Sequence, residues 1–124
     1  MDERVVGAHA PTATTLGRVR AALTDGNLRI LALLFIAGQV IDAATTWAAL
    51  RTGHYREANP FFADALSGES AGPYVAKGVL AALVLFGALA YVSRRRLRVV
   101  LAILAVISLQ APLTNALLLL LGHR

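Results

Sequence analysis

The sequence predicts an all-α membrane protein with three transmembrane helices and a short interfacial helix in the first, outer loop. Of its 124 residues 57% are hydrophobic and 15% are charged, and the mean hydropathy is +0.64. A soluble domain of this size needs more charged residues to cover its surface. Three apolar runs are each long enough, at 1.5 Å per residue, to cross a hydrocarbon core of about 30 Å.

The first 27 residues are predicted to form a cytoplasmic tail that is partly disordered. Residues 1–13 are small and polar and include Pro11, a composition that does not bury apolar surface. Thr14 or Thr15 is suited to cap a short helix that runs through Leu23. A tail with a single helical turn is the alternative for this segment, and the sequence leaves both open.

The remaining residues, 28–121, are predicted to form one transmembrane domain with spans at about 28–50, 74–93 and 97–121. The last two spans are separated by the run Arg94–Arg98, which contains four arginines. Because the centre of a bilayer does not accept four arginines, we expect two helices joined by a tight basic turn.

The distribution of basic residues predicts the orientation of the spans. The segment before the first span and its start carry four arginines, and the second loop carries four more. The first loop instead sets two arginines against three acidic residues. The positive-inside rule therefore predicts a multi-pass protein of the plasma (inner) membrane, with the N-terminus in the cytoplasm and the C-terminus outside.

The first loop contains the signal for an interfacial helix. Asn59 is a good N-cap residue and Pro60 fits the first helical position. Residues 60–67 place several apolar side chains beside Asp64, and Gly68 ends the run. Such a segment is expected to lie at the membrane surface.

Polar residues follow one face of the first span. Gln39, Asp42, Thr45 and Thr46 recur at intervals of three and four residues, as one side of a helix requires. An aspartate at the centre of a spanning helix costs roughly 2.5–3.5 kcal/mol on insertion scales, so we expect other groups to compensate it.

Residue counts place possible partners for Asp42 at a similar depth. Asp42 lies about 12 Å inside the outer edge and Asn115 about 9 Å, while Lys77 starts about 4–5 Å below the edge and has a long side chain. Gln39 and Gln110 both fall about 16 Å down, which predicts a matched pair near the midplane. The candidate binding residues, which combine these groups with polar residues of the outer loop, are Asp42, Thr45, Thr46, Glu57, Asn59, Lys77 and Asn115.

Small residues predict where the helices approach one another. Ser108 and Pro112 lie on a small-residue face of the third span, and Pro112 should kink that helix and free the Ser108 carbonyl. On the second span the small residues offered for a similar close approach are Gly78, Ala81, Ala82 and Ala88.

Three interpretations of the polar residues stay open. In the first, an Asp42–Lys77 pair with Thr45 and Asn115 as partners holds the three helices together in a structural or interaction protein. In the second, the residues form a functional site, since charged groups within a membrane often mark one. In the third, they belong to a surface for a second copy or a larger membrane protein. The bilayer is the expected partner, and nucleic acid is not expected because no basic stripe carries interleaved aromatic residues.

Two functional alternatives use the same residues. A metal- or proton-dependent enzyme acting on lipid-like substrates would draw on Asp42, His54 and Glu57 as weak candidate ligands. A subunit of an ion or solute transporter would line its path with Asp42 and Lys77. The chain has no cysteine, so thiolate chemistry is excluded, and neither a catalytic residue nor a cofactor is specified.

The motif Asp42-x-x-Thr45-Thr46, followed by Gly53-x-x-x-Glu57-x-Asn59-Pro60, resembles a family of small uncharacterised prokaryotic membrane proteins with a domain of unknown function. The resemblance covers about residues 28–121. It implies a multi-span α-helical protein whose motif residues, with Lys77 and Asn115, are the polar residues already identified. It implies no activity.

Overall fold

A computed structural model describes residues 13–51 and 71–121, and all of the regular structure in these ranges is helical. The second, third and fourth helices are long and apolar enough to cross a membrane. The helices are α1 (Thr15–Thr24), α2 (Gly26–Arg51), α3 (Gly72–Tyr91) and α4 (Arg94–Leu121). The predicted interfacial helix at 60–67 lies outside the described residues.

The segment before the first long helix forms α1, the first of the two alternatives for this part of the chain. The Thr14 hydroxyl caps the helix by accepting from the Gly17 amide at 3.2 Å. Ala22 is 1% exposed, and Val19 packs beside it on the hydrophobic core. This helix is therefore packed against α2 and α3.

The long helix α2 starts at a side-chain cap and buries a single stripe. The Asp25 carboxylate accepts from the Asn27 and Leu28 amides at 3.0 and 3.3 Å, which satisfies two of the free donors at the helix start. The buried residues recur every three or four positions and face mainly α4, the helix with which α2 makes its most extensive contact. They are Leu28, Ala32, Phe35, Gly38 and Asp42.

The connection between α3 and α4 differs from the predicted basic turn. The chain turns at Val92 and Ser93, and α4 already begins at Arg94, so the arginines occupy its first turn and a half. Leu97 and Leu101 are 1% and 0% exposed. Burying these two leucines on one face keeps the first turns helical and leaves the arginines on the other faces.

The helix α4 continues through Pro112. Proline lacks the amide proton of a helix interior, yet residues on both sides of Pro112 are helical and Pro112 itself is buried. The buried stripe of α4, like that of α2, recurs every three or four residues and consists of Leu97, Leu101, Ala105, Ser108 and Pro112. The two helices thus pack along most of their length.

The hydrophobic core lies toward the end of the bundle that contains α1. It draws on all four helices, and the buried residues of α3 fall only between Leu85 and Ala90. The first half of α3, from Gly72 to Ala81, buries no residue. The core therefore fixes one end of α3, and its other end depends on a different kind of contact.

Candidate functional site: a polar cluster joining three helices

The centre of the site is the carboxylate of Asp42. Asp42 lies on the buried stripe of α2, and the whole residue is 5% exposed. Its Oδ2 atom accepts from the Lys77 ammonium of α3, and its Oδ1 atom accepts from the Asn115 amide of α4 at 3.2 Å. One acidic group is thereby held by donors from both other long helices.

The two members of the ion pair differ in exposure. The side chain of Lys77 is 40% exposed, whereas that of Asp42 is 7% exposed. A lysine can bury its methylene stem along an apolar surface and bring its charged end to a partner, which is the reach that the sequence predicts. The pair neutralises a carboxylate that would otherwise be buried alone.

The amide of Asn115 joins three acceptors on α2. Besides Asp42, its Nδ2 atom approaches the hydroxyl oxygens of Thr46 at 3.0 Å and Thr45 at 3.4 Å. The Thr45 hydroxyl donates to backbone carbonyls of its own helix, so its oxygen is available as an acceptor. We call Asp42, Thr45, Thr46, Lys77 and Asn115 the polar cluster.

One turn from the polar cluster, α2 and α4 come into close backbone contact. The Ser108 hydroxyl donates to the Phe35 carbonyl at 2.7 Å. A Cβ atom at Gly38 would lie 2.0 Å from the Ser108 hydroxyl and 2.8 Å from its carbonyl oxygen, so only glycine fits. Sequence reasoning missed Gly38, although its position four residues before Asp42 on one helix face was a usable signal.

Two of the four small residues that the sequence predicts at a close approach of α3, Gly78 and Ala82, do not lie at one. Nothing lies within 4 Å of a Cβ atom built at Gly78, and Ala82 is exposed. Together with Ala81 they line one wall of an apolar groove of about 450 Å³, and α2 forms the other wall. Of the small residues named on this helix, Ala88 is buried, and it lies in the second half.

The predicted pair of Gln39 and Gln110 is wrong. Gln39 is half-buried beside the groove, whereas the Gln110 side chain is exposed and its carbonyl accepts from the Thr114 hydroxyl at 3.0 Å. Equal depth was not enough, because at 100° per residue Gln110 points away from the face of Ser108.

The candidates from the outer loop, Glu57, Asn59 and His54, lie outside the described residues. Of the three weak metal candidates only Asp42 is described, and within 13–51 and 71–121 no three His, Cys, Asp or Glu residues are grouped. In the same ranges every buried side-chain nitrogen or oxygen has a hydrogen-bond partner. In the described part of the site the hydrogen bonds between these side chains connect three helices.

Comparison with known proteins bears on the segment that contains the polar cluster. Searches against curated proteins and against solved structures gave no match to the chain. A family model does match residues 33–121, which include most of α2 and all of α3 and α4. The chain belongs to this family, whose description is Domain of unknown function (DUF5658).

Proposed function

We propose that this chain is a multi-pass protein of the plasma membrane with a structural or interaction role, in which the polar cluster fastens the three spanning helices near the outer leaflet. The length and hydropathy of α2, α3 and α4 support the placement in a membrane. The arginines at the α1 end of the bundle support a cytoplasmic N-terminus and a C-terminus outside.

The observation that carries the proposal is that Asp42 takes its partners from inside the chain. Lys77 and Asn115 bind its two oxygens from two different helices. Removing one partner of a buried ion pair typically costs about 3–5 kcal/mol, because the other charge is left uncompensated. The Asp42 carboxylate is therefore suited to hold the three helices together. Both of its oxygens already accept hydrogen bonds from Lys77 and Asn115 without an external ligand.

A role in interaction fits the remaining surface. Many large apolar side chains of the three long helices are exposed, and the first half of α3 buries nothing. Lipid covers such surface in a bilayer, and so does a larger membrane protein or a second copy of the chain. In that role we expect the loop between α2 and α3 to be the surface that contacts the partner protein.

The test is a double-mutant cycle on the ion pair, with the free energy of unfolding measured in detergent. Lys77→Met should cost about 3–5 kcal/mol, because it strands the buried Asp42. Asp42→Asn should cost less, about 1.5–3 kcal/mol, because Lys77 is already partly exposed. The double variant should be more stable than Lys77→Met alone.

The same variants separate this proposal from the enzyme and transporter alternatives. If both single variants unfold like the parent chain while a cellular phenotype that depends on the protein disappears, the polar cluster acts chemically and the proposal is wrong. The membrane orientation is tested with a reporter at the C-terminus that is active only outside the cytoplasm. Activity of a cytoplasm-only reporter at that position would contradict it.

A further inference from the structure

The α1 end of the bundle concentrates positive charge. Seven arginines lie there, all with exposed side chains, and Asp25 is the one acidic residue at this end among the described residues. We call this surface the basic end. Its arginines are Arg18, Arg20, Arg29, Arg94, Arg95, Arg96 and Arg98.

Within residues 13–51 and 71–121 little negative charge compensates the basic end. The Asp25 carboxylate is engaged in capping α2. No acidic residue lies in the first turn of α4, where three arginines stand in sequence. Because exposed like charges in one region repel one another, the fold carries a cost here that a counter-ion would remove.

The fold brings the arginines of different helices together. A guanidinium nitrogen of Arg18 donates to the Val92 carbonyl at 3.4 Å, which places α1 beside the turn into α4. With Leu97 buried, the arginines around it occupy the faces of α4 that point away from the core. The charge therefore surrounds the end of α4 and continues onto α1.

Apolar side chains lie directly next to this charge. Leu16 is 72% exposed on the first turn of α1, and Ile30 and Leu33 are 55% and 57% exposed on the first turns of α2. Arginines bordered by exposed leucine and isoleucine match the boundary between lipid headgroups and acyl chains. An RNA or an acidic soluble protein would complement the charge and leave these apolar side chains in water.

We propose that the basic end binds the phosphate headgroups of anionic phospholipids and that these lipids stabilise the folded bundle. This inference rests on the proposed function, because it requires the bundle to lie in a bilayer. A basic residue near an anionic membrane surface gains about 1 kcal/mol. Guanidinium groups also match phosphate in geometry.

The test measures thermal unfolding of the full chain by circular dichroism in detergent micelles that contain either phosphatidylglycerol or phosphatidylcholine with the same acyl chains. Phosphatidylglycerol should raise the midpoint above the phosphatidylcholine value by about 4 °C or more. High salt should reduce this gain, since it screens exposed charges. Equal midpoints in the two lipids would overturn the proposal.

Matched variants locate the effect. Two double variants, Arg94→Gln with Arg95→Gln and Arg96→Gln with Arg98→Gln, should each lose part of the gain from phosphatidylglycerol. In phosphatidylcholine they should be at least as stable as the parent chain, because repulsion is reduced. Arg51→Gln, at the opposite end where Arg51 stacks on the Trp47 ring at 4.1 Å, should keep the full gain. A gain lost equally in Arg51→Gln would overturn the proposal.

Further experiments identify the source of the phosphate and distinguish failure of the lipid proposal from failure of the proposed function. Inorganic phosphate or a short RNA that raises the midpoint as much as phosphatidylglycerol would overturn the lipid assignment. Alkaline extraction of native membranes tests the membrane placement separately. If the chain stays in the membrane but shows no lipid preference, only this inference fails, whereas release of the chain would contradict the proposed function itself.

Discussion

The contacts of α2 with α4 and of α2 with α3 are built in different ways. Against α4, α2 makes backbone contact at Gly38 and hydrogen bonds through Phe35 and Asp42, so packing and polar groups act along the same stripe. Against α3, it leaves an apolar groove of about 450 Å³ beside Gly78. At the level of the polar cluster the ion pair of Asp42 with Lys77 connects α2 to α3.

Because the two contacts differ, Asn115 and Lys77 stabilise the bundle in different ways. Asn115 reinforces a contact that close packing already holds, whereas Lys77 fastens the half of α3 that buries no residue. Small residues promote helix association only where the facing backbone comes near enough to use them.

Gly38→Ala introduces a steric clash at the closest point of the α2–α4 contact. The added methyl group would meet the Ser108 carbonyl at 2.8 Å, and backbone cannot move aside as a flexible side chain can. We expect a loss of about 2–3 kcal/mol in the free energy of unfolding, measured by denaturant titration in detergent. An unfolding curve identical to that of the parent chain would contradict the close approach.

Asn115→Leu removes the amide that bridges Asp42, Thr45 and Thr46 and keeps a side chain of similar size. We expect a loss of about 1–2 kcal/mol, because hydrogen bonds between spanning helices are individually modest. Thr114→Ala is the matched control: Thr114 is exposed and bonds only within its own helix, so its change should stay within about 0.5 kcal/mol. Equal losses in both variants would exclude a specific bridge.

Ser108→Ala removes the hydrogen bond to the Phe35 carbonyl and should cost about 1 kcal/mol. Combined with Gly38→Ala it becomes more informative. The clash at 2.0 Å with the hydroxyl disappears, but those with the carbonyl oxygen at 2.8 Å and the carbonyl carbon at 2.9 Å remain. The double variant should therefore recover only part of the Gly38→Ala loss, and full recovery would place the conflict in the side chain alone.

Gly78→Ala is the counterpart of Gly38→Ala on the other contact. Nothing lies within 4 Å of the new Cβ atom, and alanine in a helix interior is favoured over glycine by about 0.5–1 kcal/mol. We expect a small gain in the free energy of unfolding. A loss as large as that of Gly38→Ala would mean that α3 packs closely on a neighbour and that the comparison is wrong.

Sequence reasoning succeeded where one helix face could be read by itself. The spacing of Asp42, Thr45 and Thr46 identified the polar side of α2. Depth counting placed Asn115 near the level of Asp42 and placed Lys77 nearer the edge, within reach through its long side chain. It failed for Gln39 and Gln110, because the prediction used only the depth of each residue along its helix. Whether two side chains meet also depends on the direction in which each one points around its helix axis. The expectations for His54, Glu57 and Asn59 stay predictions.

The arginine run does not set a helix end, since α4 already begins at Arg94. The sequence alone does specify the helices, because apolar length and the Thr14 and Asp25 caps act within a short stretch of chain. It also determined that Asp42 needs partners, because the cost of burying a carboxylate is local chemistry. Which helix packs closely on α2 is settled by the packing of the helices against one another. That choice depends on whether Gly38 and Ser108 face each other, and two residues 70 positions apart meet only after the helices have packed.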